Sequence, residues 1–171
     1  IRKYKGLDLL IKAFAHKQFR NSKIKLIIAG EYYSDKDEYT NLIKKYSLEN
    51  EVIQVDQFIP NSEVQYYFNA CDLVVQPYKT ATQSGVTQIA YHFNKPMIVT
   101  NVGGLEKMCP NEKVGYVVST NPDDIADSIF RFFNDTDKPK MINNIIEEKR
   151  KYSWKILTQN MQLLYEKILE N

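Results

Sequence analysis

Apolar positions along this chain switch repeatedly between two patterns: short unbroken runs, and the three-to-four spacing of one helical face. Across residues 6–19, Leu7, Leu10, Ile11, Phe14 and Ala15 share a helical face. The run KIKLIIA at 23–29 ends at Gly30 and predicts a buried strand with its exit turn. Residues 35–46 read as helix and 52–55 as a short strand. Asn61 and Ser62 offer N-cap oxygens to a helix carrying Val64, Tyr67, Phe68 and Cys71. Strands are then predicted at 72–76, 96–100 and 115–118, with a helix at 84–93 between the first two. Helices over 123–133, about 138–149 and 153–169 complete the chain.

Strand and helix alternate through short connections, and the strands are nearly continuous apolar runs. That combination predicts an α/β fold, a Rossmann-like parallel sheet with helices on both faces. A length of 171 residues with 43% apolar content suits one domain with its own core. No internal repeat or low-complexity segment interrupts it. Ile1 stands where a methionine would begin a complete protein, so the chain is expected to be cut from a longer one.

Charge and cysteine content remove several functions. A net charge of +2 built from interspersed lysines and acids argues against nucleic acid or another bulk polyanion as partner. Cys71 and Cys109 lie far apart, and only His16 and His92 could join them, so no zinc site is expected. A reduced, cytoplasmic compartment is the simpler setting. No apolar run approaches the roughly 20 residues of a membrane span, and no signal peptide is visible.

Chemistry concentrates in residues 78–105, YKTATQSGVTQIAYHFNKPMIVTNVGGL. Two small-residue loops fall there at the C-terminal ends of neighbouring strands, where open α/β sheets bind ligands. The first loop leads into a helix, whose N-terminal N–H groups suit an anion. The motifs RKYKGLDLLIKAF, KLIIAGE, VDQFIPNSEVQYYFNACDLVVQPY, TQSGVTQIAYHFNKPMIVTNVGGL and KVGYVVSTNPDDIADSI follow one another in order. In that order the chain closely resembles, over nearly its whole length, the C-terminal donor-binding domain of family-4 glycosyltransferases of the GT-B fold.

The resemblance implies a retaining transferase that takes a sugar from a nucleotide-diphosphate donor without a metal or other cofactor. It also implies a preceding acceptor-binding domain, with the last helix crossing back towards it. A glycan or glycolipid acceptor at the inner face of the membrane would follow, with peripheral membrane association through that other domain. The isolated chain would bind a nucleotide diphosphate weakly and transfer nothing.

Site residues follow from the same resemblance, each beside its plain physical reading. Lys5 matches the family's lysine–glycine motif, and Arg2 lies near the usual basic partner; together they would hold the diphosphate. The plain alternative is two solvated surface charges, an equal reading for Arg2 and the lesser one for Lys5. Tyr78, Thr82, Gln83, Ser84 and Gly85 form the loop into the helix, where Gly85 leaves room for a ligand. The same residues could simply cap that helix. Gly30 and Glu31 stand at the strand–glycine motif facing the donor, and Phe58, Ile59 and Pro60 where the base would lie. Core packing is an equal reading of Phe58.

The family places a spaced pair of glutamates in the key segment. Here those positions fall on Ala81 and Ile89, and Gln88 is the nearest substitute for the ribose-binding member. This leaves the donor sugar undefined. An inactive transferase that keeps nucleotide binding, a same-fold epimerase or phosphorylase, and a receiver-like ligand module are the alternatives. The Asp35–Asp37 and Asp135–Asp137 pairs mimic a metal motif of another fold, but the first reads better as a helix start. His92 reads as a packed or half-exposed side chain, and most of the 12 tyrosines as amphipathic packing.

Overall fold

Each strand among the described residues is a short, mostly aliphatic run that becomes stable only when covered. A computed structural model describes residues 1–20 and 22–169 of the chain. The strands are β1 (Leu26–Ala29), β2 (Val52–Val55), β3 (Val74–Gln76), β4 (Met97–Thr100) and β5 (Gly115–Val118). Between them lie α1 (Leu7–Phe14), α2 (Lys36–Lys45), α3 (Asn61–Ala70), α4 (Gly85–His92) and α5 (Leu105–Met108). The helices α6 (Pro122–Asn134), α7 (Lys138–Glu148) and α8 (Trp154–Leu169) follow.

All pairing is parallel, as the alternation requires, but among the described residues it forms two ladders, β1–β2 and β3–β4–β5. A cleft of about 640 Å³, lined by Leu26, Ile27, Phe68, Val74 and Val75 among others, separates β1 from β3. The connecting helix α3 buries no residue, so it supplies little force to draw those two edges together. Coverage on both faces is complete at β4, whose four residues are all buried, while Ile27 in β1 remains exposed.

β4 also divides the interior. Ile98 faces the main core, where α1 (Leu10, Ile11, Phe14) meets α6 (Ile125, Ile129, Phe132) and Tyr39 of α2. Met97 and Val99 point the other way, into a second core with Tyr78, Ala90, Tyr91, Leu105 and Cys109. That second core lies beneath the loop between β3 and α4, because Tyr78 belongs to both.

Local signals explain most boundaries. Asp35 caps α2 by accepting from the Asp37 N–H at 3.0 Å, and Asn121 caps α6 at 3.1 Å just ahead of Pro122. Asn61 and Ser62 do not cap α3: Pro60 occupies the cap position in extended geometry, and both residues lie inside the first turn. α5 is a single turn whose four residues are too few to show a period. Asp135 accepts from the Asp137 N–H at 2.8 Å and the Tyr116 hydroxyl at 3.0 Å, a structural role for that acidic pair.

The end of α7 carries a buried carboxylate. Glu148 is 3% exposed and accepts from Lys113 at 2.7 Å and from Lys151. Those two hydrogen bonds hold its carboxyl below the ordinary range. Its contribution to stability is therefore complete above the ordinary carboxylate pKa and is lost as pH falls through the depressed value. E148Q should cost about 1 kcal/mol at neutral pH, because both lysines keep water contact, and the difference should shrink in acid. Denaturant titrations of both proteins at neutral and acidic pH check this; a constant difference would contradict it.

Candidate functional site

The site is built on glycines that let separate turns press onto one loop. Gly6, in the left-handed region at φ 67°, ends the turn carrying Lys5; a Cβ there would lie 1.9 Å from the Pro77 carbonyl oxygen. From the opposite side, a Cβ on Gly103 (φ 55°) would lie 1.6 Å from the Ala81 carbonyl oxygen. On Gly104 it would lie 2.3 Å from that of Thr82. No other residue type permits such approach without moving backbone. The Lys79 N–H donates to the Tyr4 carbonyl at 2.7 Å, and its ammonium reaches Asp8 at 2.8 Å, fixing the Lys5 turn against the loop.

Within the loop, Tyr78 is the joint. Its hydroxyl and the Ser84 hydroxyl are 3.2 Å apart, closing residues 79–83 into a tight excursion. The Thr100 hydroxyl donates to the Tyr78 carbonyl at 2.6 Å from the tip of β4. Tyr4 meets the Tyr78 ring edge-on at 6.0 Å, and the Lys5 ammonium lies 6.0 Å from the same ring. Burial, and then Arg2, pull the Lys5 pKa below its ordinary value. Burial also raises the Tyr78 phenol.

Ser84 precedes α4 in extended geometry but forms no side-chain cap, since its hydroxyl is turned to Tyr78. The Thr87 N–H donates to the Ser84 carbonyl at 3.2 Å, which leaves the Gly85 and Val86 N–H groups at the positive end of the helix dipole without a partner among the described residues. A Cβ on Gly85 would meet nothing within 4 Å, so open space lies over that turn. Thr82, Gln83 and Gln88 are exposed around it.

A second group forms at the exit of β1. The Tyr33 hydroxyl donates to Glu31 at 2.8 Å, and the Arg2 guanidinium lies 4.9 Å over the Tyr33 ring. The Tyr33 N–H donates to the Ile1 carbonyl at 2.8 Å, tying this turn to the start of the chain. Gly30 donates to Val55 at 3.0 Å and so brings the exit of β2 alongside. Phe58 is 66% exposed there, outside the core, and Ile59 is half-buried.

The expected residues thus fall into two groups, Lys5 with Tyr78 and Ser84, and Arg2 with Glu31. No hydrogen bond or ring contact links Phe58, Ile59 or Gln88 to either group among the described residues. His92 is exposed, edge-on to Phe93 at 4.8 Å. Tyr33, the Asp8–Lys79 pair and the buried polar side chains of Gln76, Thr87 and Thr100 escaped sequence reasoning. Gln76, Thr87 and Thr100 left only the trace of a polar residue in or beside an apolar stretch, and Tyr33 and Lys79, in polar surroundings, left none. Among the described residues, no cluster of three or more His, Cys, Asp or Glu could hold a metal ion. The 640 Å³ cleft and a smaller one of about 380 Å³ near Lys95 and Lys138 do not include the loop from Tyr78 to Gly85.

With this geometry in place, the family model described as "Glycosyl transferases group 1" matches residues 1–152. An uncharacterized glycosyltransferase of Methanocaldococcus jannaschii is 27% identical over 167 residues, 96% of this chain and 45% of its own length. The chain therefore spans less than half of that curated relative. The C-terminal domain of a glycosyl transferase group 1 family protein from Francisella tularensis superposes with a TM-score of 0.80 at 22% identity. It covers 90% of this chain and 83% of that one. The Anabaena protein HepE, solved in complex with UDP-glucose, gives a TM-score of 0.76 at 22% identity, covering 100% of this chain and 47% of its own. These two likenesses place the fold among GT-B glycosyltransferases.

The glycine contacts predict contrasting substitutions. G103A should destabilise the protein by about 2 kcal/mol or more, because it combines a left-handed backbone with a backbone collision. G85A should change stability by less than about 1 kcal/mol, since its Cβ enters open space. Denaturant midpoints and slopes measure both, and equal effects would contradict the geometry.

Proposed function

The chain belongs to the glycosyl transferases group 1 family, and from that premise we propose that it forms the donor-binding part of a retaining sugar transferase. The observation that carries the reading is the half-buried Lys5 held against the closed loop beside the uncapped start of α4. A nucleotide diphosphate would place its phosphates between that ammonium and the unpartnered N–H groups. As the sugar leaves, negative charge grows on the diphosphate. A cation and dipole fixed in advance then stabilise the transition state more than the bound donor. Arg2, steadied over Tyr33, would supply the second positive charge, with no metal required. Exposed Phe58 and the carbonyls near Ile59 would meet the base, and Gln88 the ribose hydroxyls, through an amide that both donates and accepts.

The rest of a longer protein would supply the acceptor site for a glycan or glycolipid, on the cytoplasmic side of a membrane. α8 supports this reading. It buries no residue, and Trp154, Leu157, Met161, Leu164 and Ile168 form one exposed stripe suited to a partner domain of the same chain. No described helix is long and apolar enough to cross a membrane.

A second reading is a nucleotide-binding domain without transfer. Ala81 and Ile89 favour it, because they leave no carboxylate where the resemblance expects two. Both readings require the nucleotide. Calorimetric titration with UDP, GDP and ADP should show weak binding of at least one of them. K5A should weaken it about tenfold, the loss of one charge-assisted contact. A folded protein that binds none of the three would contradict both readings, and an assay with donor and acceptor separates them.

A further inference from the structure

We propose that Gln76 and Thr87 are positioning residues that fix the orientation of α4, and with it the direction of the N–H groups at the donor loop. Gln76 is the last residue of β3, and it and Thr87 are 1% and 0% exposed. The Thr87 hydroxyl donates to the Gln76 side-chain oxygen at 3.1 Å. The Gln76 amide nitrogen faces the Met97 sulfur at 3.9 Å, a weak acceptor. Burying an amide whose donor is so poorly matched is unfavourable, and two apolar side chains of similar shape would suit this interior at least as well. Stability therefore does not account for the pair.

Direction does. Thr87 lies in the first turn of α4, and Gln76 lies two residues before Tyr78. Their bond encloses the whole loop and is nested around the Tyr78–Ser84 contact. The Thr100 hydroxyl, also fully buried, holds the Tyr78 carbonyl from β4. Apolar surfaces can slide and rotate on one another, whereas a buried hydroxyl–amide bond tolerates little misalignment. It fixes α4 about its own axis, and that rotation decides where the Gly85 and Val86 N–H groups point. The inference rests on reading this loop as the nucleotide-diphosphate site, but the positioning itself can be tested without ligand.

The test compares the wild-type protein with Q76M/T87V and with T87S by thermal denaturation, amide hydrogen exchange across residues 84–88, and titration with UDP, GDP and ADP. The double variant should keep or raise its melting midpoint. Its exchange in that turn should quicken about tenfold, and its affinity for whichever nucleotide the wild type binds should fall by a similar factor. T87S, which restores the hydroxyl, should behave as wild type in exchange and affinity. Unchanged exchange in the double variant would overturn the proposal. So would a fall in midpoint that accounts for the other losses. Faster exchange in a protein whose wild type binds none of UDP, GDP and ADP would uphold the positioning role and overturn the nucleotide reading instead.

Discussion

Backbone pressed on backbone around residues 77–82 is the constraint on which the rest of this structure depends. Gly6 on one side and Gly103 with Gly104 on the other reach the carbonyls of Pro77, Ala81 and Thr82 at distances no side chain would allow. Because three elements converge there, the loop between β3 and α4 cannot be reshaped without moving the turn before α1 or the exit of β4. Lys5 inherits its place from this contact: its turn is held by the Tyr4–Lys79 hydrogen bond and the Asp8–Lys79 ion pair. A cation fixed in this way loses little freedom when it meets an anion, which is how a modest site gains selectivity for developing charge.

Hydroxyl and amide groups complete what the glycines begin. Tyr78, Ser84, Thr100, Thr87 and Gln76 are all buried and all hydrogen-bonded within a few residues of the loop. A second core of aliphatic and aromatic side chains surrounds them, so water cannot replace a broken partner. The same strand, β4, supplies both kinds of support. Met97 and Val99 fill that core, while Thr100 at its tip ties down Tyr78. Packing therefore provides rigidity, and the polar contacts choose which rigid arrangement forms.

Much of this could be read from the chain. The limits of β5 fall where the apolar run placed them, and most helices agree within a residue or two, because each has a clear period or a cap such as Asp35. α1 is the exception: it ends at Phe14 rather than Phe19, because His16 turns extended and residues 17–19 form a separate 3-10 turn. α5 was invisible because one turn has no period, and Pro60 displaced Asn61 from the cap by its own fixed backbone. The division of pairing into two ladders depends on how little α3 buries, which no local pattern encodes. In the site, Gly85 and Lys5 were legible as motif residues. The roles of Gly6 and Gly103 as contact points were not, since they depend on carbonyls distant in sequence. Gln76 looked like one polar letter in DLVVQP, and only its meeting with Thr87 across the loop shows its purpose.

The central claim is that a nucleotide diphosphate binds where Lys5, the closed loop and the start of α4 meet. Residue-resolved NMR of the protein during UDP titration tests it most directly. The account predicts that the largest amide shifts fall at Lys5, Gly6 and residues 83–86, with smaller ones at Gly30 and Glu31. Shifts centred instead on the cleft between β1 and β3, with residues 83–86 unmoved, would contradict it.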